Sequence, residues 1–186
     1  MLMNTRSTSY YVLVLCTAAW CVTLLLPPLL AASSSVGNHL AALGYKFFSR
    51  ICHQIDSRSL HLFGRPIAVC VRCFSIYFGF FSGVLFAGLS SRLRLDFYSR
   101  VQKYSSIWLF LFVLPMLLDV LIDSLSGYSS NFGTRMATGF FFGTGAGFVL
   151  TPIILSAMQE FIAILMQKRP QLSTRRQWKE KLHAEA

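Results

Sequence analysis

The chain has 186 residues, 54% of them hydrophobic and only 13% charged. A soluble domain carries about a quarter charged residues, so the polar surface is too small for a soluble enzyme or a secreted globule. The formal charge of +10 would suggest nucleic acid in a soluble protein, but here the basic residues flank apolar runs, where they anchor helix ends and meet membrane lipid.

Residues 10–30 are an apolar run with Arg6 ahead of it and Ala31, Ala32 and Ser33 behind it. That order suits a signal peptide, whose apolar region is about 7–15 residues. This run is longer, so an uncleaved first span is expected, with Pro27 and Pro28 ending or kinking it. Residues 31–66 form the longest polar connection. Ser33, Ser34, Ser35 and Gly37 open it, and residues 40–49 are patterned for a short helix along the interface. A second span is expected over 67–89, a basic connection over 90–104, and a third span over 107–122 with Pro115 as a kink. A Ser/Asn/Gly turn over 127–133 leads to a fourth span over 135–166, and a charged tail, expected to be mobile, begins at Lys168.

The expected fold is therefore all-α. Residues 1–167 make one polytopic membrane domain, a bundle of about four transmembrane helices with an interfacial helix in its first loop, and 168–186 a basic tail. The 90–104 connection and the tail are both rich in Arg and Lys, whereas 124–134 holds Arg and Lys nowhere. The positive-inside rule then puts both termini in the cytoplasm and the first loop outside the cytoplasmic membrane. Lys46, Arg50, Arg58 and Arg65 in that loop go against the rule, and a functional use for them would explain the exception. Ser75, Gly79 and Gly83 on the second span, and Gly139, Gly143 and Gly147 on the fourth, are small residues at four-residue spacing. Such stripes let helices approach closely in lipid.

The residues that could carry chemistry stand in three places. Cys52, His53 and Gln54 precede Arg58, Ser59 and His61; Cys70 and Cys73 flank Val71 and Arg72; Asp119 and Asp123 close the third span, just before Asn131 and Arg135. Hairpin topology brings all of them to one membrane face. Cys70 and Cys73 share a helix face at i,i+3, as do Asp119 and Asp123 at i,i+4. Ionisable residues inside spans are costly and are functional candidates by default.

These motifs carry a resemblance. The Cys52-His53-Gln54, Arg58-Ser59 and Cys70-Val71-Arg72-Cys73 segments, then Ile76-Tyr77, Gly79, Pro115-Met116, Asp119, Asn131, Arg135, Thr138-Gly139 and Gly143, occur in order over 50–147. In this the chain resembles the bacterial family of small predicted membrane proteins called domain of unknown function 2085. Phe74-Ser75 stands where Thr-Gly is usual in that family, and Asp123 where Gln is usual. The resemblance implies a fold and a motif, and it assigns no reaction.

Three readings of the site follow. In the first, Cys52, His53, Cys70 and Cys73 bind zinc or another thiophilic metal, structural or catalytic, with Asp119 a candidate base. Adjacent ligands such as Cys52 and His53 are unusual, because neighbouring side chains diverge, so one of the two can instead stand behind the ligands. In the second, Cys70 and Cys73 do thiol–disulfide chemistry with Cys52 as resolving partner and a quinone as cofactor. The analogy is to four-helix oxidoreductases, which normally use a second cysteine pair. In the third, nothing is catalysed. Arg58, Arg72 and Arg135, with Arg50 and Arg65, cradle a lipid phosphate, or Asp119 merely pairs with Arg135 or Arg72. Five cysteines without a dense framework argue against a disulfide-stapled fold. Cys16 and Cys21 read as buried thiols of the first span, and a homo-oligomer is compatible with all three readings.

Overall fold

The computed structural model describes residues 2–32, 35–93, 96–125 and 131–184. Ser33, Ser34, Arg94 and most of the turn expected at 127–133 lie outside the described residues. Among the described residues four helices are long and apolar enough to cross a membrane: Ser7–Ala31, Val71–Arg92, Ser105–Leu125 and Phe132–Met166. They belong to α1 (Leu2–Ala31), α3 (Val71–Arg92), α5 (Ser105–Leu125) and α6 (Phe132–Ala184), and between them lie α2 (Ser35–Phe48) and α4 (Asp96–Lys103). The all-α bundle read from the sequence is the architecture found.

Pro27 and Pro28 lie inside α1, which continues to Ala31. A helix in lipid tolerates such residues where neighbours re-satisfy the backbone. Here the Pro27 ring packs on Gly44 of α2, where a β-carbon would stand 2.8 Å from Pro27 Cγ. The helix expected at 40–49 is α2, which begins earlier, at Ser35.

One element departs from the sequence reading. Residues 59–70 form a β-hairpin, β1 (Ser59–Leu62) antiparallel to β2 (Arg65–Cys70), with Leu62 opposite Arg65. Its two-residue turn has φ of 53° at Phe63 and 74° at Gly64. Positive φ at both central positions is the twist a two-residue hairpin requires. The second span therefore starts at Val71, and residues 67–70, expected inside it, are extended. A hydropathy sum scores an apolar buried strand and the first turn of a span alike. Ile67, Ala68 and Val69 are buried against Leu24 of α1 and Phe48 of α2, and Cys52 belongs to the same core.

The centre of the bundle is the seam between α3 and α6. A β-carbon at Gly79, Gly83, Gly143 or Gly147 would collide with a backbone carbonyl of the facing helix. The two backbones touch along both small-residue stripes, as the spacing suggested. By contrast α5 is thinly packed: Asp119 is its only buried residue among those described, and Phe112 sits over Gly145 of α6. The apolar part of α6 is 35 residues, about 52 Å of helix against a hydrocarbon core of about 30 Å. The helix thus tilts or emerges from the bilayer, and it continues through the expected tail to Ala184.

Candidate metal centre

Cys52 follows the end of α2, its N–H donating to Phe48 O at 2.9 Å. Two residues on, Gln54 takes a left-handed backbone conformation, φ 49°. Its side-chain amide donates to Tyr45 O at 2.8 Å and to Ala68 O at 2.7 Å. Tyr45 Oη donates to Pro66 O at 2.6 Å. Helix, loop and β2 are thereby clamped together, and Cys52 is turned inward under the hairpin.

Cys70 ends β2 and is the N-cap residue of α3, and Cys73 lies in the helix's first turn. The strand-to-helix junction delivers both thiols to Cys52. The three Sγ atoms lie within 4.8 Å of one another, and all three cysteines are free. With zinc–sulfur bonds of about 2.3 Å, sulfurs in a tetrahedral site stand about 3.8 Å apart. A thiophilic ion would need to draw these by an ångström at most.

The surroundings favour a thiolate. Cys52 Sγ accepts the backbone N–H of Cys70 at 3.1 Å. Hydrogen bonds from the Cys70 thiol first, then from the Cys73 thiol and the backbone N–H groups of Cys70 and Gln54, hold the Cys52 thiol well below its ordinary pKa, against the opposing effect of burial. Anion stabilisation also suits the N-terminal end of α3.

His53, expected as a fourth ligand, is exposed and is not among the residues whose ligand atoms converge. Consecutive side chains diverge, and the turn that buries Cys52 sends His53 outward. His61 is exposed too, 3.2 Å from Asp56 at the hairpin.

A second polar group lies on the other side of the same helical turn. Arg72, between the two cysteines, donates to Asp119 of α5, and Thr138 of α6 donates to the same carboxylate at 3.3 Å. Arg135 Nη2 donates to both Asp123 oxygens, at 2.9 and 3.1 Å, and Arg58 Nη1 stands 3.9 Å from Asp123 Oδ2. Of the five arginines expected at a lipid phosphate, Arg58, Arg72 and Arg135 are each engaged with a carboxylate of α5, and Asp119, the candidate base, is held by a guanidinium. Asn131 Oδ1 accepts the Thr134 N–H at 2.7 Å and caps α6. Sequence reasoning placed Gln54 and Thr138 within motifs but missed their work. Tyr45 gave no signal beyond its position in an amphipathic helix.

Fold and site together describe a polytopic membrane protein with a three-thiol cluster roofed by a hairpin at one end of the bundle. The chain belongs to the family described as predicted membrane protein, domain of unknown function 2085, whose model matches residues 52–149. It is also 32% identical over 125 residues to an uncharacterised protein of Methanocaldococcus jannaschii, covering 67% of this chain and 76% of that one. That relative is archaeal, so the resemblance is wider than the bacterial range expected. No solved structure matches the chain. The matched region starts at Cys52 and contains all three thiols, both carboxylates and Arg58, Arg72 and Arg135.

Proposed function

We propose that this protein binds zinc or another thiophilic metal through Cys52, Cys70 and Cys73. The observation that carries the reading is the convergence of three free thiols, delivered by separate elements, within 4.8 Å. The chain supplies hydrogen bonds to a thiolate there, and Arg72, the basic residue nearest in sequence, pairs with Asp119. Three thiolates leave a tetrahedral ion one position for an outside ligand. An ion so held could fasten the loop to the bundle or polarise an oxygen of a bound substrate. Leu24, Phe48, Ile67 and Val69 pack around Cys52, which is buried, while Cys70 and Cys73 are half-buried at the edge of that core. We place the protein in the cytoplasmic membrane, with the 90–104 connection and both termini inside, on the distribution of basic residues.

The test is elemental analysis of chain purified in detergent without chelators. About one zinc or similar ion per chain is expected, lost in Cys70→Ser and Cys52→Ser. Metal-free wild type with Cys70 and Cys73 trapped as a disulfide in growing cells would instead support the thiol–disulfide reading. That reading, with quinone as electron acceptor, would lack the second cysteine pair usual in such enzymes, since Cys16 and Cys21 both lie within α1.

A further inference from the structure

We propose that the end of the bundle opposite the thiols holds one anionic phospholipid, its phosphate on Arg92 and an acyl chain between α1 and α3. A cavity of about 410 Å³ opens there among α1, α3, α4 and α6, and its polar lining includes Ser7, Tyr10, Ser91, Arg92 and Thr151. That volume falls in the range of small-molecule sites, about 300–1,000 Å³.

A second cavity, of about 270 Å³, shares Tyr10, Gly88 and Arg92 with the first and continues along Val14, Leu85 and Leu89. Both spaces are mainly apolar, the first carrying the larger share of polar groups, and they meet at Tyr10, Gly88 and Arg92. That is the shape of a headgroup joined to a chain. Leu85 lies two helical turns below Arg92, roughly 10 Å towards the bilayer centre, enough to take the first half of an acyl tail.

Charge supports the same occupant. Arg92 is the last residue of α3, where a span meets the headgroup layer. Its Nη2 donates to Tyr11 Oη at 2.9 Å, which orients the guanidinium and leaves further N–H donors for a phosphate. Arg100 is exposed on neighbouring α4, and no acidic residue lines either cavity among the described residues. Gly88 lets the Tyr10 ring pack closely on α3 at the boundary of the two cavities, because a side chain there would overlap that ring.

Native mass spectrometry of the full chain tests this, after detergent exchange and titration with phosphatidylglycerol. Wild type is expected to hold one lipid. Arg92→Gln, which removes the charge, and Val14→Trp, which plugs the apolar cavity, should each lower its retention about ten-fold or more. Arg100→Gln should leave it unchanged. Should Arg92→Gln lose helicity, Arg92→Lys and Val14→Trp carry the comparison, with the lysine variant intermediate. Equal retention by wild type and Arg92→Gln would overturn the proposal. So would an equal loss in Arg100→Gln, which indicates diffuse surface charge. Glycerol 3-phosphate competing as tightly as the lipid would make this a free-anion site and overturn it as well.

Discussion

The first turn of α3 faces two polar groups, and they differ in how their charge is closed. On one side Arg72 meets Asp119, with Asp123, Arg58 and Arg135 beyond. Every charge there has an opposite partner in the chain, drawn from the first loop, α3, α5 and α6. On the other side Cys70 and Cys73 meet Cys52, and ionising more than one thiol would gather like charges in an apolar core. The first group is complete as folded and holds α5 to the bundle. The second asks for a cation. Buried ionisable groups are therefore read better by their unmet electrostatics than by their burial.

The largest effect should come from opening the closed side. Asp119→Leu leaves Arg72 without its carboxylate and is expected to cost about 3–5 kcal/mol, read as loss of stability in detergent. The double variant Asp119→Leu with Arg72→Met should recover most of that. A double variant no better than the single one would mean the pair is more than a structural tie.

Asp123→Asn keeps an acceptor but loses the charge facing Arg135 and Arg58, so a smaller cost of about 1–2 kcal/mol is expected. A loss as large as that at Asp119 would merge the two carboxylates into one unit.

On the thiol side the effect is one of titration. The folded pKa of Cys52 lies below the unfolded value of about 8.5. The metal-free chain should thus gain stability over Cys52→Ser as pH rises towards that value, and lose the advantage as pH falls towards the folded pKa. Thiolate absorbance present at pH 6 in wild type and absent in Cys52→Ser checks the assignment; a slope of the opposite sign sinks it.

The smallest effect belongs to His53→Ala, which should leave metal content unchanged because the imidazole is outside the convergent group. Metal lost on that change would restore the four-ligand set that the sequence suggested.

The four spans were legible because hydropathy over about 20 residues measures what lipid requires. So was the α3–α6 seam, since glycines four apart have few other uses in lipid. The hairpin was not, although Phe63-Gly64 between two short runs carried a turn signal. Ile67, Ala68 and Val69 are as apolar as a span, and only their pairing with β1 separates them from one. At the site, cysteine spacing located the thiols, and topology located the carboxylates at the same face. Which arginine meets which carboxylate was beyond the sequence: Asp119 takes Arg72 rather than Arg135 because of how α5 is rotated. The outward turn of His53 depends on Gln54, whose left-handed backbone no residue pattern announces.

The strand-to-helix junction also sets an order of assembly. Cys52, Cys70 and Cys73 all precede residue 74, so the thiol cluster can close while the ribosome is still making α5. Arg72 waits for Asp119, 47 residues later, and until then it must remain near water at the membrane surface. Burying that charge before the carboxylate arrives would be costly, which favours a start of α3 near the interface, beside the loop that carries Cys52. The later arrival of α5 supplies that carboxylate. Birth order along the chain therefore separates a thiol side that is ready early from a charged side that is sealed last.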